Sequence, residues 1–335
     1  MNNISDRIKD RFPEKKILIV GDLVADQFLR GTISRVSREA PVFILRHDET
    51  ETLAGGAANA AVNVASLGAS VNLVGFIGKD PDGRELFKTL ERAGVNGRFL
   101  VESEQLRTTT KVRVLAGQHY APRQQVIRID YENRTEIGRD LREQLKKNFL
   151  AASADADAVI ISDYGYGAAN AEIAGLAKKI AGEKNIPLLI DSRFRLESFK
   201  GATSATPNQE EVEQILGKNF TNEDCAALRE RLELESLLIT RGNKGMLLVE
   251  KEKPPLEIEI VGSSEPVDVT GAGDTVIAAY ALGLASGFSC AESAHLANHA
   301  GGIVVMKKGT ASVSLAELLE SVSSDARFQI SKSVS

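Results

Sequence analysis

Apolar residues in this chain fall into short runs separated by longer, periodic stretches. ILIV (17–20), VNLVGFIG (71–78), AVIISD (158–163), PLLID (187–191), SLLIT (236–240) and MLLVE (246–250) have the length and β-branched content of buried strands. Between them lie AANAAVNVASLG (57–68), DGRELFKTLERAG (82–94), AEIAGLAKKIAGE (171–183) and EDCAALRERLE (223–233), whose apolar positions recur at helical spacing. This alternation predicts an α/β fold, with a mainly parallel central sheet and helices on both faces.

Two stretches follow a different period. RTTTKVRVLAG (107–117) and QQVIRIDYE (124–132) alternate residue by residue. In the second, Val126, Arg128 and Asp130 share one face, and Ile127, Ile129 and Tyr131 share the other. Residues 28–53 contain further strand-like pieces, including PVFIL. Half-buried strands of this kind imply a small sheet outside the main one, drawn from about 28–53 and 107–132. A lid over a cleft is its simplest role.

Charge sharpens that reading. The 335-residue chain carries a net charge of −5, so a broad basic surface for nucleic acid is not expected. From Arg107 to Tyr131, however, the cations Arg107, Lys111, Arg113, Arg123 and Arg128 face one acid, Asp130. Lys111 and Arg113 fall on one strand face. They suit an anionic small ligand, or equally a solvated edge strand protected by charge.

Composition adds bounds. With 43% hydrophobic and 26% charged residues the chain is ordinary globular protein, long enough for about two domains by length alone, although large α/β domains exceed that prior. Cys225 and Cys290 make no CxxC, which points to reduced cysteines in a cytoplasmic protein. The start of the chain lacks the apolar core of a signal peptide, and no run approaches the roughly 18 apolar residues of a membrane span. The glycine fingerprint of a nicotinamide-dinucleotide site is missing, because ILIV runs into GDLVADQ. His295 and His299 stand one helical turn apart without an evident third ligand, and read as helix-surface histidines.

DVTGAGDTV (268–276), just before the apolar TVIAAYALGLASG, concentrates the candidate chemistry. If a helix starts there, the amides of Gly271, Ala272 and Gly273 lack intrahelical acceptors and can converge on an anion. Asp274 then has one useful task beside a phosphoryl group: accepting a proton from an attacking hydroxyl. Its place near a helix start favours the ionised form. Helix capping is the competing explanation, and accounts for one acid and one glycine rather than the whole run.

This stretch resembles the C-terminal signature of the ribokinase (PfkB) sugar kinases, and GGAANAAVNVASLG (55–68) resembles their N-terminal signature. The resemblance covers roughly residues 15 to 315. SRVSREAPV (34–42), TKVRVLAGQ (110–118), QQVIRIDYE (124–132), ISDYGYG (161–167) and TPNQEE (206–211) are further similar to segments of D-glycero-β-D-manno-heptose 7-phosphate kinases. Those kinases are often fused to a nucleotidyltransferase. This chain stops soon after the kinase signature, so the stand-alone form is expected, a single ribokinase-like domain over residues 1–335.

The resemblance implies roles residue by residue. Asp274 would be the catalytic base, with the amides of Gly271, Ala272 and Gly273 as the anion hole. Asp26, Gly55, Gly56 and Asn59 would bind the sugar. Lys111, Arg113, Arg128 and Arg38 would serve a substrate phosphate from the lid. Asn208 and Glu211 match N-x-x-E, which organises Mg²⁺ and phosphate, Glu211 through water; Asn208 also fits a helix cap with Glu211 at the capping-box position. Thr240, Gly242, Gly245 and Asn298 would border ATP. Asp268 and Thr270 match a monovalent-cation site, K⁺ in this reading, completed by backbone near Lys307–Gly309.

Two departures stand out. Heptose kinases commonly read S-P-E-A-P-V where Ser37-Arg38-Glu39-Ala40-Pro41-Val42 stands, and D-P-K where Asp191-Ser192-Arg193 stands. The expected reaction is ATP-dependent phosphorylation of heptose 7-phosphate on its anomeric hydroxyl, a lipopolysaccharide-precursor step by family analogy. The alternatives are another sugar or sugar-phosphate kinase, ribokinase- or phosphofructokinase-like, and a non-catalytic sugar-phosphate sensor. A homodimer through the lid strands is expected, and neither nucleic acid nor membrane as a partner.

Overall fold

A computed structural model describes residues 4–118, 123–133 and 136–325. Its larger sheet contains β1 (Lys16–Gly21), β4 (Ser70–Gly78), β5 (Leu100–Ser103), β8 (Ala158–Asp163), β9 (Leu188–Ser192), β10 (Ser204–Ala205), β11 (Ser236–Thr240), β12 (Met246–Glu250) and β13 (Leu256–Ile258). The smaller contains β2 (Leu23–Val36), β3 (Phe43–Gly56), β6 (Thr110–Gly117) and β7 (Gln124–Tyr131). The helices are α1 (Ile4–Arg11), α2 (Ala57–Ser66), α3 (Pro81–Arg92), α4 (Arg139–Ala152), α5 (Ala171–Lys184), α6 (Gln209–Leu216), α7 (Asn222–Arg231), α8 (Ala272–Ala285), α9 (Cys290–Val304) and α10 (Leu315–Ser323).

The large sheet runs β13-β12-β11-β10-β9-β8-β1-β4-β5. Pairing is parallel from β11 through β5, and antiparallel only where β12 and β13 extend one edge. The apolar runs read as strands because both faces are covered. Ile17, Ile19 and Ile160 enter one core, with residues of α2, α8 and α9, while Leu18, Val20, Val159 and Ile161 enter another, with α4, α5 and α7. Period-two alternation thus splits single strands between two cores, the signature of a parallel sheet in a three-layer fold.

Helix α8 is apolar all round, as a helix inside the protein must be. Every residue from Asp274 to Gly283 is buried, and Tyr280 keeps its hydroxyl satisfied by Ser236 Oγ at 2.9 Å. The small side chains of α2 let that helix lie against α8. This packing fixes the starts of the two helices that carry the glycine-rich motifs.

The small sheet has the order β3-β2-β6-β7, with β2 and β6 parallel and both outer pairs antiparallel. β2 follows β1 directly, so the small sheet grows from the carboxyl end of the central strand. Half-burial is seen for β6, whereas β7 is exposed on both faces except at Tyr131. As the outermost strand it has no layer behind it, so Val126, Ile127 and Ile129 stay open. Lid residues 119–122 lie outside the described residues. Among the described residues, no helix is long and apolar enough to cross a membrane.

Candidate active site

The carboxyl ends of β1, β8 and β9 deliver Asp22, Asp163 with Tyr164, and Asp191 to one region, and the start of α8 faces them. This is where parallel sheets bind ligands. A polar cleft of about 370 Å³ opens there, lined by Asp26, Lys111, Arg113, Tyr164, Asp191 and Arg193 among others, together with Gly271, Gly273 and Asp274. A second cavity of about 190 Å³ adjoins it, lined mainly by apolar and glycine residues such as Ile260, Val261, Val276, Gly301 and Val305. Thr240, Val269 and Gly273 border both.

Asp274 lines the polar cleft and follows Gly273, which borders both spaces. Its carboxylate is buried and accepts a hydrogen bond on each oxygen: Asn59 Nδ2 reaches Oδ2 at 2.8 Å, and Tyr164 OH reaches Oδ1 at 2.9 Å. Burial pushes the carboxyl up to about 7, assisted by the charge of Asp26, while Asn59, Tyr164 and Lys111 pull it down. The expectation that the helix start favours the ionised form of Asp274 meets a larger opposing effect, burial. Desolvation outweighs the helix terminus and two donors. A base poised near neutrality is still well matched to proton transfer.

Gly271 caps α8 with φ of 78°, a left-handed conformation that favours glycine. A side chain here would also collide with Asn59. The amide of Ala272 is turned back to Val269 O at 3.2 Å, and Ala272 lines the second cavity. Of the three expected hole amides, that of Ala272 is therefore engaged, while Gly271 and Gly273 line the polar cleft. Gly273 and Asp274 occupy the first-turn positions whose N–H groups a helix leaves without intrahelical acceptors.

Asp26 is buried on β2, salt-bridged to Arg113 with 2.6 Å between Oδ1 and Nη1, and it accepts Thr310 Oγ1 at 3.2 Å on Oδ2. In register, Asp26 pairs with Lys111 and Phe28 with Arg113, which puts both cations on the cleft side of β6. Lys111 is pulled below its ordinary range, mainly by burial, and its ammonium lies 5.6 Å from the centre of the Tyr164 ring. Gly55 sits behind this group, where an added Cβ would lie 2.7 Å from Asp26 Oδ2. Gly56 lines the cleft itself.

Three sugar-side expectations move. Asn59 is 1% exposed and turned toward Asp274 rather than the open cleft. Arg128 is held by Asp130 through two 2.9 Å contacts on exposed β7, outside the cleft lining. Arg38 lies exposed in the 37–42 connection at the far end of two 14-residue strands, also outside that lining. Long strands carry the connection away from the cleft.

The residues expected to border ATP converge. Thr240, Gly242, Gly245 and Asn298 all line the second cavity, and Asn298 Nδ2 is anchored on Glu259 O at 2.6 Å. Asn208 and Glu211 line the first cleft and also form the capping box of α6, with reciprocal 2.9 Å bonds. Burial raises the carboxyls of Glu211 and Asp191, the latter strongly, with Asp274 adding to it. No cluster of three or more His, Cys, Asp or Glu fit for a metal occurs among the described residues. The side-chain oxygens of Asn208 and Glu211 in the cleft are of the kind Mg²⁺ uses, since it keeps its waters and leans on few carboxylates and substrate phosphates.

Asp268 closes the loop before α8, accepting Thr270 N and Gly309 N at 2.9 Å each. This brings Gly309 beside it. The histidine expectation is corrected: His299 is buried, bonded to Ser321 at 2.7 Å and Asp325 at 3.0 Å, because α10 covers that face of α9. Sequence reasoning gave no role to Tyr164 or Asp191. The signal for Tyr164 was its place in ISDYGYG, two residues past a buried strand's last serine.

The pfkB family carbohydrate kinase model matches residues 14–317. The chain belongs to the pfkB family of carbohydrate kinases. Similar curated relatives are the "Bifunctional protein HldE" of Coxiella burnetii, 39% identical over 94% of this chain, and that of Haemophilus influenzae, 41% identical over 92%. The chain covers 65% and 63% of those relatives, less than two thirds of their length. Among solved structures, Arabidopsis thaliana ribokinase complexed with ribose and ATP aligns over 92% of this chain and 98% of its own, with TM-score 0.69 and 20% identity. Escherichia coli phosphofructokinase-2 in complex with potassium aligns over 91% and 97%, with TM-score 0.73 and 19% identity. The pfkB fold is thus shared with both, and this family member is a sugar kinase.

Proposed function

We propose that this sugar kinase transfers the γ-phosphoryl group of ATP to the anomeric hydroxyl of D-glycero-β-D-manno-heptose 7-phosphate, giving the 1,7-bisphosphate. The observation that carries the reading is buried Asp274 in a cation-bearing polar cleft, one residue past Gly273, which borders both that cleft and an adjoining apolar cavity. Heptose is supported by the segments at 34–42, 110–118, 124–132, 161–167 and 206–211. Relatives called bifunctional, which extend beyond the matched stretch, agree with a kinase of that kind.

In this mechanism the sugar rests against Asp26 and Gly56, and Lys111 with Arg113 meets the substrate phosphate. Arg113 is already paired to Asp26, which leaves Lys111 as the lid cation with the freer charge. Asp274 accepts the anomeric proton as that oxygen forms its bond to the γ-phosphorus and the bond to the ADP oxygen breaks. The first-turn amides of Gly273 and Asp274, with the α8 dipole, hold the charge developing on the transferred group. The apolar cavity takes the adenine, between Asn298 and the Gly242–Gly245 turn. Glu211 would hold Mg²⁺ through water, and the ion would offset phosphate charge; Asp268 and Thr270 would hold K⁺.

A cytoplasmic setting supplies ATP, and the exposed apolar residues of β7 suit pairing of two lids in a homodimer. The direct test is ³¹P NMR of the product made from heptose 7-phosphate. A second resonance coupled to the anomeric proton supports the assignment; phosphate on any other carbon refutes it.

A further inference from the structure

Both oxygens of Asp274 are held, and the two holders differ in origin. Asn59 comes from the start of α2, inside a glycine-rich motif. Tyr164 comes from the loop after β8, and that loop has an anchor of its own. Asp22 Oδ2 accepts Tyr164 N and Tyr166 N, and Oδ1 accepts Ala168 N, all at 2.9 Å. Asp22 is buried at the end of β1, next to β8 in the sheet. A single carboxylate thus gathers three amides of one loop, the kind of charge-assisted set that holds a backbone in place.

We propose that Tyr164 is a positioning residue for Asp274, and that Asp22 acts one step further back by holding Tyr164 in place. This rests on the base role given to Asp274 above. The Tyr164 ring lies over Gly56, 3.3 Å from where a Cβ there would stand, so glycine at that position keeps the ring's slot open. Burial and the neighbouring Asp274 charge keep the phenol protonated, so its hydroxyl remains a donor. With Oδ1 and Oδ2 each taking one donor, the carboxylate plane is set and each oxygen keeps a lone pair for the sugar hydroxyl. The donors favour the charged form against burial. Among the described residues, other charged groups acting on Asp274 and its surroundings include Asp26 on β2, Lys111 on β6, Asp163 at the end of β8, Asp191 and Arg193 at the end of β9, and Glu211 on α6.

A tyrosine that merely fills space predicts that loss of its hydroxyl changes little at the base. Tyr164→Phe keeps the ring and removes only the donor. Two readouts are compared with the parent: the pH profile of kcat and kcat/KM, and the ¹³C titration of the Asp274 carboxyl, assigned by its disappearance in Asp274→Asn. The expected result is a kcat lower by about fivefold at neutral pH with KM little changed. The acid limb and the carbon titration should both move up by about one pH unit, so that activity returns on the alkaline side. Asp22→Asn should move the carbon midpoint in the same direction. An unmoved midpoint in Tyr164→Phe overturns the proposal, and an unmoved midpoint in Asp22→Asn overturns the part given to Asp22. If the midpoint moves while no sugar is phosphorylated by the parent, the positioning role stands and the kinase assignment falls.

Discussion

Asn59 and Asp274 lie 215 positions apart in the chain and are joined by a 2.8 Å hydrogen bond from the amide to the carboxylate. The bond ties the first turn of α2 to the first turn of α8. Behind it, Asn63 donates to Asn59 Oδ1 at 3.2 Å and accepts Thr275 Oγ1 at 3.0 Å, so the two helix starts share one buried polar network. Such a network holds position only while every member is satisfied. Asn59→Ala leaves Asp274 one donor short and Asn63 partly unpaired. The expected outcome is a kcat reduced by roughly 10- to 100-fold, read by steady-state kinetics, with sugar KM changed much less. Wild-type kcat in this variant would show that the network does not position the base.

The burial of Asp274 has a stability consequence whose sign follows from its raised carboxyl. Unfolded, the group loses its proton near its ordinary value of 3.8; folded, it does so near 7. Between those values the folded chain binds more protons than the unfolded one, so stability falls as pH rises through that window and stays low above it. Asp274→Asn removes this cost. The variant should exceed the parent in urea-unfolding free energy at pH 8 by on the order of 2 kcal/mol, with the gap closing toward pH 4. Equal stability at pH 8 would mean that the carboxylate is better solvated than its surroundings imply.

Lys111 and Arg113 neighbour each other on β6 but should respond differently to removal. Arg113 is paired with Asp26 in a mostly buried bridge, with side chains 13% and 7% exposed. Arg113→Met strands a buried carboxylate, which costs about 3 kcal/mol or more, so thermal unfolding should drop clearly. Among the described residues Lys111 makes no such bridge, and burial already disfavours its charge. Lys111→Met should leave thermal stability near the parent and raise KM for a phosphosugar by about tenfold or more. Matching thermal profiles for the two variants would contradict this division of labour.

Glu211 combines two tasks in one side chain. Its Oε2 closes the α6 capping box on Asn208 N, and it lines the cleft. Glu211→Gln keeps a cap acceptor, so stability should change by less than about 1 kcal/mol. The Mg²⁺ concentration for half-maximal activity should rise several-fold, as measured by activity against Mg²⁺ at fixed ATP. An unchanged Mg²⁺ dependence would reduce Glu211 to a cap.

The parallel strands were legible because strands buried on both faces appear as unbroken apolar runs, and α8 because its glycine-rich start precedes an apolar helix. The capping box at Asn208 needed only four residues of spacing. Other features depend on neighbours far along the chain. Tyr164 meets Asp274 only because β8 lies beside β1 and because Asp22 gathers the loop that follows. The charge state of Asp274 reflects how much protein covers it, which no local pattern reports. Asn59 was placed at the right helix start, but its direction was set by Asp274. The exposure of β7 and the burial of His299 turn on which strand is outermost and where α10 docks.

The most direct test of the account is a coupled ADP-release assay with Mg-ATP, run for the parent and for Asp274→Asn. Heptose 7-phosphate, sedoheptulose 7-phosphate, fructose 6-phosphate, ribose and fructose serve as acceptors. The account predicts strong turnover with heptose 7-phosphate, little with the others, and loss of that turnover by at least about 10³-fold in the variant. Preferred turnover of another sugar would contradict the heptose assignment. Tight sugar-phosphate binding with no ADP release from the parent would contradict the proposed transfer itself.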